Sequence, residues 1–100
     1  MTKIYLSGAI TGIAREAVER KFNDAAELLK NRNYEVVNPL KVILNPDASS
    51  RTAMKRLVPL LLNCDAIYLL NDWQFSEGAK IEYMLAQYTG MRIMNEEDLN

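Results

Sequence analysis

The sequence predicts an α/β fold in which a mostly parallel sheet of four to five strands is packed between two helical layers. Three observations carry that expectation. Short β-prone runs alternate with amphipathic helical stretches along the chain. Residues 66–70 are apolar throughout, as suits a strand covered on both faces. Glycine, asparagine and proline punctuate the joints between these stretches. Strands separated by helices pair in parallel through right-handed crossovers, so a Rossmann-like (flavodoxin-like) three-layer arrangement is expected over a single domain, residues 1–100.

Each element has its own signal. Ile4, Tyr5 and Leu6 form a first strand, ended by Ser7-Gly8 and followed by a glycine-punctuated loop to Ile13. Ala14, Val18, Phe22, Ala25 and Leu29 then recur at helical spacing, with Arg15, Glu16, Glu19, Arg20, Glu27 and Lys30 on the opposite face. Asn31-Arg32-Asn33 turns the chain into a second strand, 34–37, which Asn38-Pro39 stops. Residues 40–50 read as a long loop, of the kind that in a compact domain is often functional. Helical character returns at 51–63, where Pro59 predicts a kink or a late start. A third strand at 65–70, a loop at 71–75, a helix capped by Ser76 and running to Tyr88, and a fourth strand at 91–94 complete the pattern. Thr89-Gly90 closes that last helix, and the acidic tail 95–100 reads as a turn or a frayed end.

Composition narrows the chemistry. Twelve basic residues against thirteen acidic ones give a net charge of −1, which lacks the basic excess that binds nucleic-acid polymers. The chain has no histidine, which removes Ser-His-Asp and Cys-His nucleophile systems and His-ligated metals. Cys64 is the single cysteine, so neither an intrachain disulfide nor a thiolate metal cage can be built. The apolar stretches 57–62 and 66–70 are too short to span a bilayer, and residues 1–8 turn polar before a signal-peptide core develops. A cytoplasmic protein without metal, cofactor or membrane partner is expected.

Chemistry must then come from carboxylates, hydroxyls, tyrosines, cations or backbone amides. In an open parallel sheet the ligand crevice lies beyond the carboxyl ends of the strands, which brings the loops after residues 7, 38 and 71 together. Ala79, Glu82, Tyr83 and Ala86 share one helical face, and a carboxylate in such a row needs a partner or a role. The alternative for Glu82 is a position at the rim of the apolar face. Ser76 offers a hydroxyl and the free amides of Glu77, Gly78 and Ala79 at a helix start, suited to an anion, although serine also caps helices without any ligand. Gly78 would let a ligand approach the backbone. The loop Ser7-Gly8-Ala9-Ile10-Thr11-Gly12 lacks the third glycine of a dinucleotide fingerprint and reads equally as a strand-to-helix turn. Tyr5 belongs either to the core or to the crevice. Trp73 could stack on a base or plug its loop onto the sheet. Arg51, Lys55 and Arg56 fit a solvated helix face, and Met84, Met91 and Met94 fit core filling.

Taken together, Lys3 to Gly12, Phe22 with Ala25-Ala26 and Leu29, Tyr34-Glu35-Val36-Val37-Asn38-Pro39, Cys64-Asp65-Ala66-Ile67-Tyr68-Leu69-Leu70, Trp73, Ser76, Gly78-Ala79 and Glu82 resemble the nucleoside 2-deoxyribosyltransferase superfamily. Within it they look most like a small group of phage and bacterial domains, and they are similar also to deoxynucleoside 5′-monophosphate N-glycosidases. The resemblance runs from about Lys3 to Ile93. It implies that Glu82 attacks the anomeric carbon and carries a covalent glycosyl intermediate, with Tyr5 beside it. Substrate contacts are expected from Ser7, Gly8, Ala9, Ser76, Gly78 and Trp73. Ser76 falls where relatives acting on free nucleosides have aspartate and monophosphate hydrolases have a phosphate-binding serine. One departure stands out: the aspartate that assists departure of the base in relatives is replaced by Leu57. Asp72, on the crevice loop, is the candidate substitute. Three functions follow: cleavage or transfer at the N-glycosidic bond of a 2′-deoxynucleoside or its 5′-monophosphate, a catalytically impaired pocket that sequesters such a molecule, or an interaction domain whose crevice is vestigial. Relatives complete their site with a neighbouring subunit, so a homodimer or larger assembly is expected, with Leu60, Leu61, Trp73 or Tyr88 near the interface.

Overall fold

Alternation along the first strand sorts the whole molecule into layers. In the computed structural model, which describes residues 1–45 and 49–99, strand β1 (Lys3–Ser7) points Ile4 and Leu6 to one face and Tyr5 and Ser7 to the other. Helix α1 (Arg15–Lys30) covers the first face with Val18, Phe22, Ala25, Ala26 and Leu29, which pack with Ile4, Leu6, Ala66 and Tyr68. Full burial of side chains such as Phe22 and Leu29 contributes about 1.5–3 kcal/mol each. The second face is covered by α3 (Ser50–Leu62) and α4 (Glu77–Tyr88), whose Leu57, Leu61 and Ala86 meet Tyr5, Ile67 and Leu69.

The sheet has four strands in the order β2-β1-β3-β4, with β2 (Glu35–Val37), β3 (Ala66–Leu69) and β4 (Arg92–Asn95), and every pairing is parallel. Tyr5 stands opposite Val37 on one side and Ile67 on the other, while Ser7 stands opposite Leu69. This is a Rossmann-like, flavodoxin-like α/β arrangement in which the chain steps outward from β1 to β2 and then crosses back to β3. The switch point therefore lies between the carboxyl ends of β1 and β3.

Several boundaries differ from expectation for local reasons. Residues 40–42, read as the start of a loop, belong to a short helix, α2 (Pro39–Val42). Asn38 caps it by accepting from Leu40 N at 3.0 Å, and Pro39, expected to stop the second strand, also stands at the first helical position. The expected 40–50 loop is thereby shortened, and its residues 46–48 lie outside the described residues. Helix α3 starts ahead of Pro59, capped by Ser49, so no late start occurs. Pro59 and Lys55 are both solvent-exposed, which lets water take the carbonyl that Pro59 leaves without an N–H partner. Ala14 is the exposed N-terminal flank of α1 rather than part of its buried face. Helix α4 ends as expected, with Gly90 at φ 74°, Gly90 N donating to Gln87 O and Met91 N to Ala86 O. The tail is a 3-10 turn, Glu96–Leu99, whose Leu99 returns to the α1 side of the core; Asn100 lies outside the described residues. No helix among the described residues is long and apolar enough to cross a membrane.

Candidate active site

The carboxylate of Glu82 is 5% exposed and lies against the carboxyl end of β1. Position follows from two periodicities. Ser76 caps α4 by accepting from Ala79 N at 3.1 Å, which sets the phase that turns Ala79, Glu82 and Ala86 inward. Strand alternation turns Tyr5 and Ser7 toward the same helix. Tyr5 Oη donates to Glu82 Oε2 at 2.5 Å, and Ser7 Oγ donates to Glu82 Oε1 at 2.7 Å. Each carboxylate oxygen thus accepts one hydroxyl and keeps a further lone pair.

Burial pushes the Glu82 carboxyl above its ordinary range, and the hydrogen bonds from Tyr5 and Ser7 pull it back down. Burial, reinforced by the neighbouring Glu82 charge, pushes the Tyr5 phenol above its usual value, so that it stays protonated and remains a donor. The Cys64 thiol, pushed up to about 11 chiefly by burial, donates to Leu60 O and is an unreactive core group.

Above Glu82 opens a cavity of about 390 Å3. Its walls come from the β1–α1 loop with Gly8, Ile10, Thr11, Gly12 and Ile13, from α2 and the residues after it, from the α3 face bearing Ser50, Ala53, Met54 and Leu57, and from the start of α4 with Ser76, Gly78 and Ala79. Among the described residues, Glu82 and Arg15 are the charged side chains that line it. Arg15 opens α1 and also pairs with Glu19 at 3.1 Å. The walls are otherwise largely apolar, a composition that suits a small organic ligand held by a few polar groups.

Tyr5, Gly8, Ser76, Gly78 and Glu82 therefore line one cavity, and Ser7, 1% exposed, supports Glu82 from beneath. Leu57 faces the same space. Three other expected site residues do not line it. Asp72 is drawn away by an ion pair with Lys21, and its other oxygen accepts from Ala9 N at 3.0 Å. Ala9 spends its amide on Asp72, and its carbonyl accepts from Lys21. Trp73 packs on Tyr83, ring centroids 4.7 Å apart, and lines a separate cleft with Asn71, Gln74 and residues 95–97. The plug reading of Trp73 is the one its position supports. Sequence reasoning missed Arg15, read as part of a solvated helix face, and the α3 wall, although Ser50, Ala53, Met54 and Leu57 recur at the spacing of one helical face. Among the described residues no cluster of acidic and cysteine side chains could hold a metal ion.

Comparisons with known proteins bear on fold and family. A solved structure described as Clostridium botulinum CMP N-glycosidase superimposes with a TM-score of 0.64 at 19% sequence identity, covering 94% of this chain and 67% of that one. At this identity the likeness establishes the fold. No curated protein matches the sequence. Residues 2–95 match the model of a family described as a domain of unknown function, DUF4406, and the chain belongs to that family.

Proposed function

We propose that this protein acts on the N-glycosidic bond of a nucleoside or nucleoside 5′-monophosphate, with Glu82 as nucleophile. The observation that carries the reading is a buried carboxylate, oriented through both oxygens by Tyr5 and Ser7, beneath an apolar cavity at the switch point of a parallel sheet. The resemblance of Tyr5, Ser76 and Glu82 to the nucleoside 2-deoxyribosyltransferase superfamily supports it, as does the fold shared with a CMP N-glycosidase. Arg15 and the start of α4 at Ser76 provide positive potential for a phosphate, where an aspartate would repel it. Apolar walls suit the base and sugar.

In the proposed reaction a Glu82 oxygen bonds to C1′ as the C1′–N bond breaks. The bonding pair leaves with the base, which takes a proton from water. A water molecule then attacks C1′ of the glycosyl ester, releasing the sugar, a proton and the Glu82 carboxylate, as in retaining glycoside hydrolysis. Tyr5 and Ser7 hold the carboxylate during attack and receive it again afterwards. The reading includes self-association through Phe75, Ile81, Met84 and Tyr88, an exposed apolar row at and before α4. Leu61, expected near such an interface, is wholly buried and cannot contribute.

A second reading, a nucleotide-binding pocket without turnover, is favoured by one feature. Leu57 lines the cavity where relatives place an acid, and Asp72 is committed to Lys21. General-acid assistance typically contributes 10²–10⁴ in rate. The deciding assay is chromatographic detection of free base from ribo- and deoxynucleosides and their 5′-monophosphates. Base release by wild type, lost in Glu82→Ala with binding retained, supports the enzyme. Leu57→Asp should then accelerate it. No release from either protein, together with measurable nucleotide affinity, decides for the binding pocket.

A further inference from the structure

The carboxyl ends of β1 and β3 are tied together by a group of side chains outside the cavity. Asp72, in the loop after β3, accepts from Ala9 N through one oxygen and pairs with Lys21 through the other. Lys21, from α1, closes the ring by donating to Ala9 O at 2.9 Å. Two side chains, one from α1 and one from the loop after β3, thus satisfy both backbone polar groups of a single residue. Gly8 is packed into the same arrangement: a Cβ there would stand 2.7 Å from Leu70 Cδ1 and 3.2 Å from Asp72 Oδ1. Immediately before Gly8 is Ser7, whose hydroxyl holds Glu82; immediately after Ala9 come residues 10–13, which wall the cavity. Lys21 and Asp72 are each 27% exposed, which leaves the pair less screened by water than a fully exposed one.

We propose that Lys21 and Asp72 are positioning residues: they fix the Gly8-Ala9 segment so that Ser7 is aimed at Glu82 and residues 10–13 face the cavity. The catalytic consequence rests on the reading of Glu82 given above, whereas the geometry can be tested without substrate.

The test is a ¹³C NMR titration of the Glu82 carboxyl in wild type, Lys21→Met, Lys21→Arg and Asp72→Ala, with amide hydrogen exchange recorded on the same samples. Through-space charge alone moves Glu82 in opposite directions in the two disruptive variants: loss of the cation raises its titration and loss of the anion lowers it. A positioning role weakens the Ser7 hydrogen bond in both, and both titrations rise. The expected result is a rise in Asp72→Ala as well as in Lys21→Met, with Ala9 N–H exchange accelerated roughly tenfold or more and that of Ile67 unchanged. Lys21→Arg should stay close to wild type. A fall or no change at Glu82 in Asp72→Ala overturns the proposal. Should the alanine variant fail to fold, Asp72→Leu removes the charge and both acceptor oxygens at similar side-chain size and is read by the same criterion. Base-release activity plays no part in this readout, so an inactive wild type would count against the proposed reaction and leave the clamp to be judged by titration.

Discussion

Replacing Tyr5 with phenylalanine deletes one oxygen and keeps the ring packed among Leu57, Leu61 and Ile67. That oxygen is the donor, at 2.5 Å, to a carboxylate that is 5% exposed, from a tyrosine that is 0% exposed. Hydrogen bonds to charged groups contribute about 1.5–3 kcal/mol, so the variant should lose that much stability at pH 8. For a chain of this size the loss corresponds to a fall in Tm of roughly 6–24 °C. The loss should depend on pH in a definite sense. The Tyr5 hydrogen bond pulls down a carboxyl that burial has raised, so without it the folded-state titration of Glu82 moves further up while the unfolded value stays near its ordinary 4.5. The variant then binds its proton over a wider range when folded and loses ground to wild type as pH rises through that titration. Near pH 4, where Glu82 is protonated in both proteins, only a neutral hydrogen bond is missing and the difference should shrink to about 0.5–1.5 kcal/mol. Urea unfolding followed by circular dichroism from pH 4 to 8 measures the difference. A gap that stays constant over that range, or no gap at pH 8, would refute the claim that Tyr5 stabilises an ionised Glu82.

Glu82→Gln should be more stable than wild type at pH 8, because burial raises the folded-state titration and the penalty for ionising appears as pH rises; the advantage should vanish toward pH 4 in thermal unfolding scans. Gly8→Ala should cost about 1–3 kcal/mol in urea unfolding, since its Cβ would meet Leu70 Cβ at 2.9 Å as well as Leu70 Cδ1. Gly78→Ala, with Met54 Sδ 3.8 Å away as its nearest neighbour, should leave stability unchanged or slightly raised, and equal destabilisation of the two variants would contradict this account of packing. Sedimentation velocity should show a dimer or larger species at micromolar concentration that Met84→Lys with Tyr88→Ser converts to monomer; a monomeric wild type rules out the proposed association.

Elements with strong periodicity were legible in the sequence, and so was the part of the site that rides on them. Ser76 sets the phase of α4, and the helical period then brings Glu82 to the sheet; alternation in β1 does the same for Tyr5 and Ser7. Features that depend on a distant partner were not legible. From sequence, Asp72 is a crevice-loop carboxylate available to a ligand, because Lys21, 51 residues away, carries no local sign of its role. Trp73 has two plausible environments, and the choice is made by Tyr83 on α4. Residues 40–42 look like loop from sequence because Pro39 starts a helix as readily as it stops a strand. The α3 wall escaped because its apolar face serves both core and cavity: Leu61 packs wholly inside while Leu57 and Met54 reach the opening.

The separation between Tyr5 and Glu82, 77 positions in a chain of 100, has a consequence for how the molecule folds. Local contacts within α1 and α4 close short loops at little entropic cost, whereas β1 must capture β3 across some 60 intervening positions before α4 can lay its carboxylate on the hydroxyls. Side chains that meet last on the way in contribute little to the folding transition state. Substitutions at Tyr5 and Glu82 should therefore appear mainly in the unfolding rate, and substitutions at Phe22 and Leu29 more in the folding rate. The centre of the proposed chemistry would then govern how long the native state persists rather than how quickly it forms.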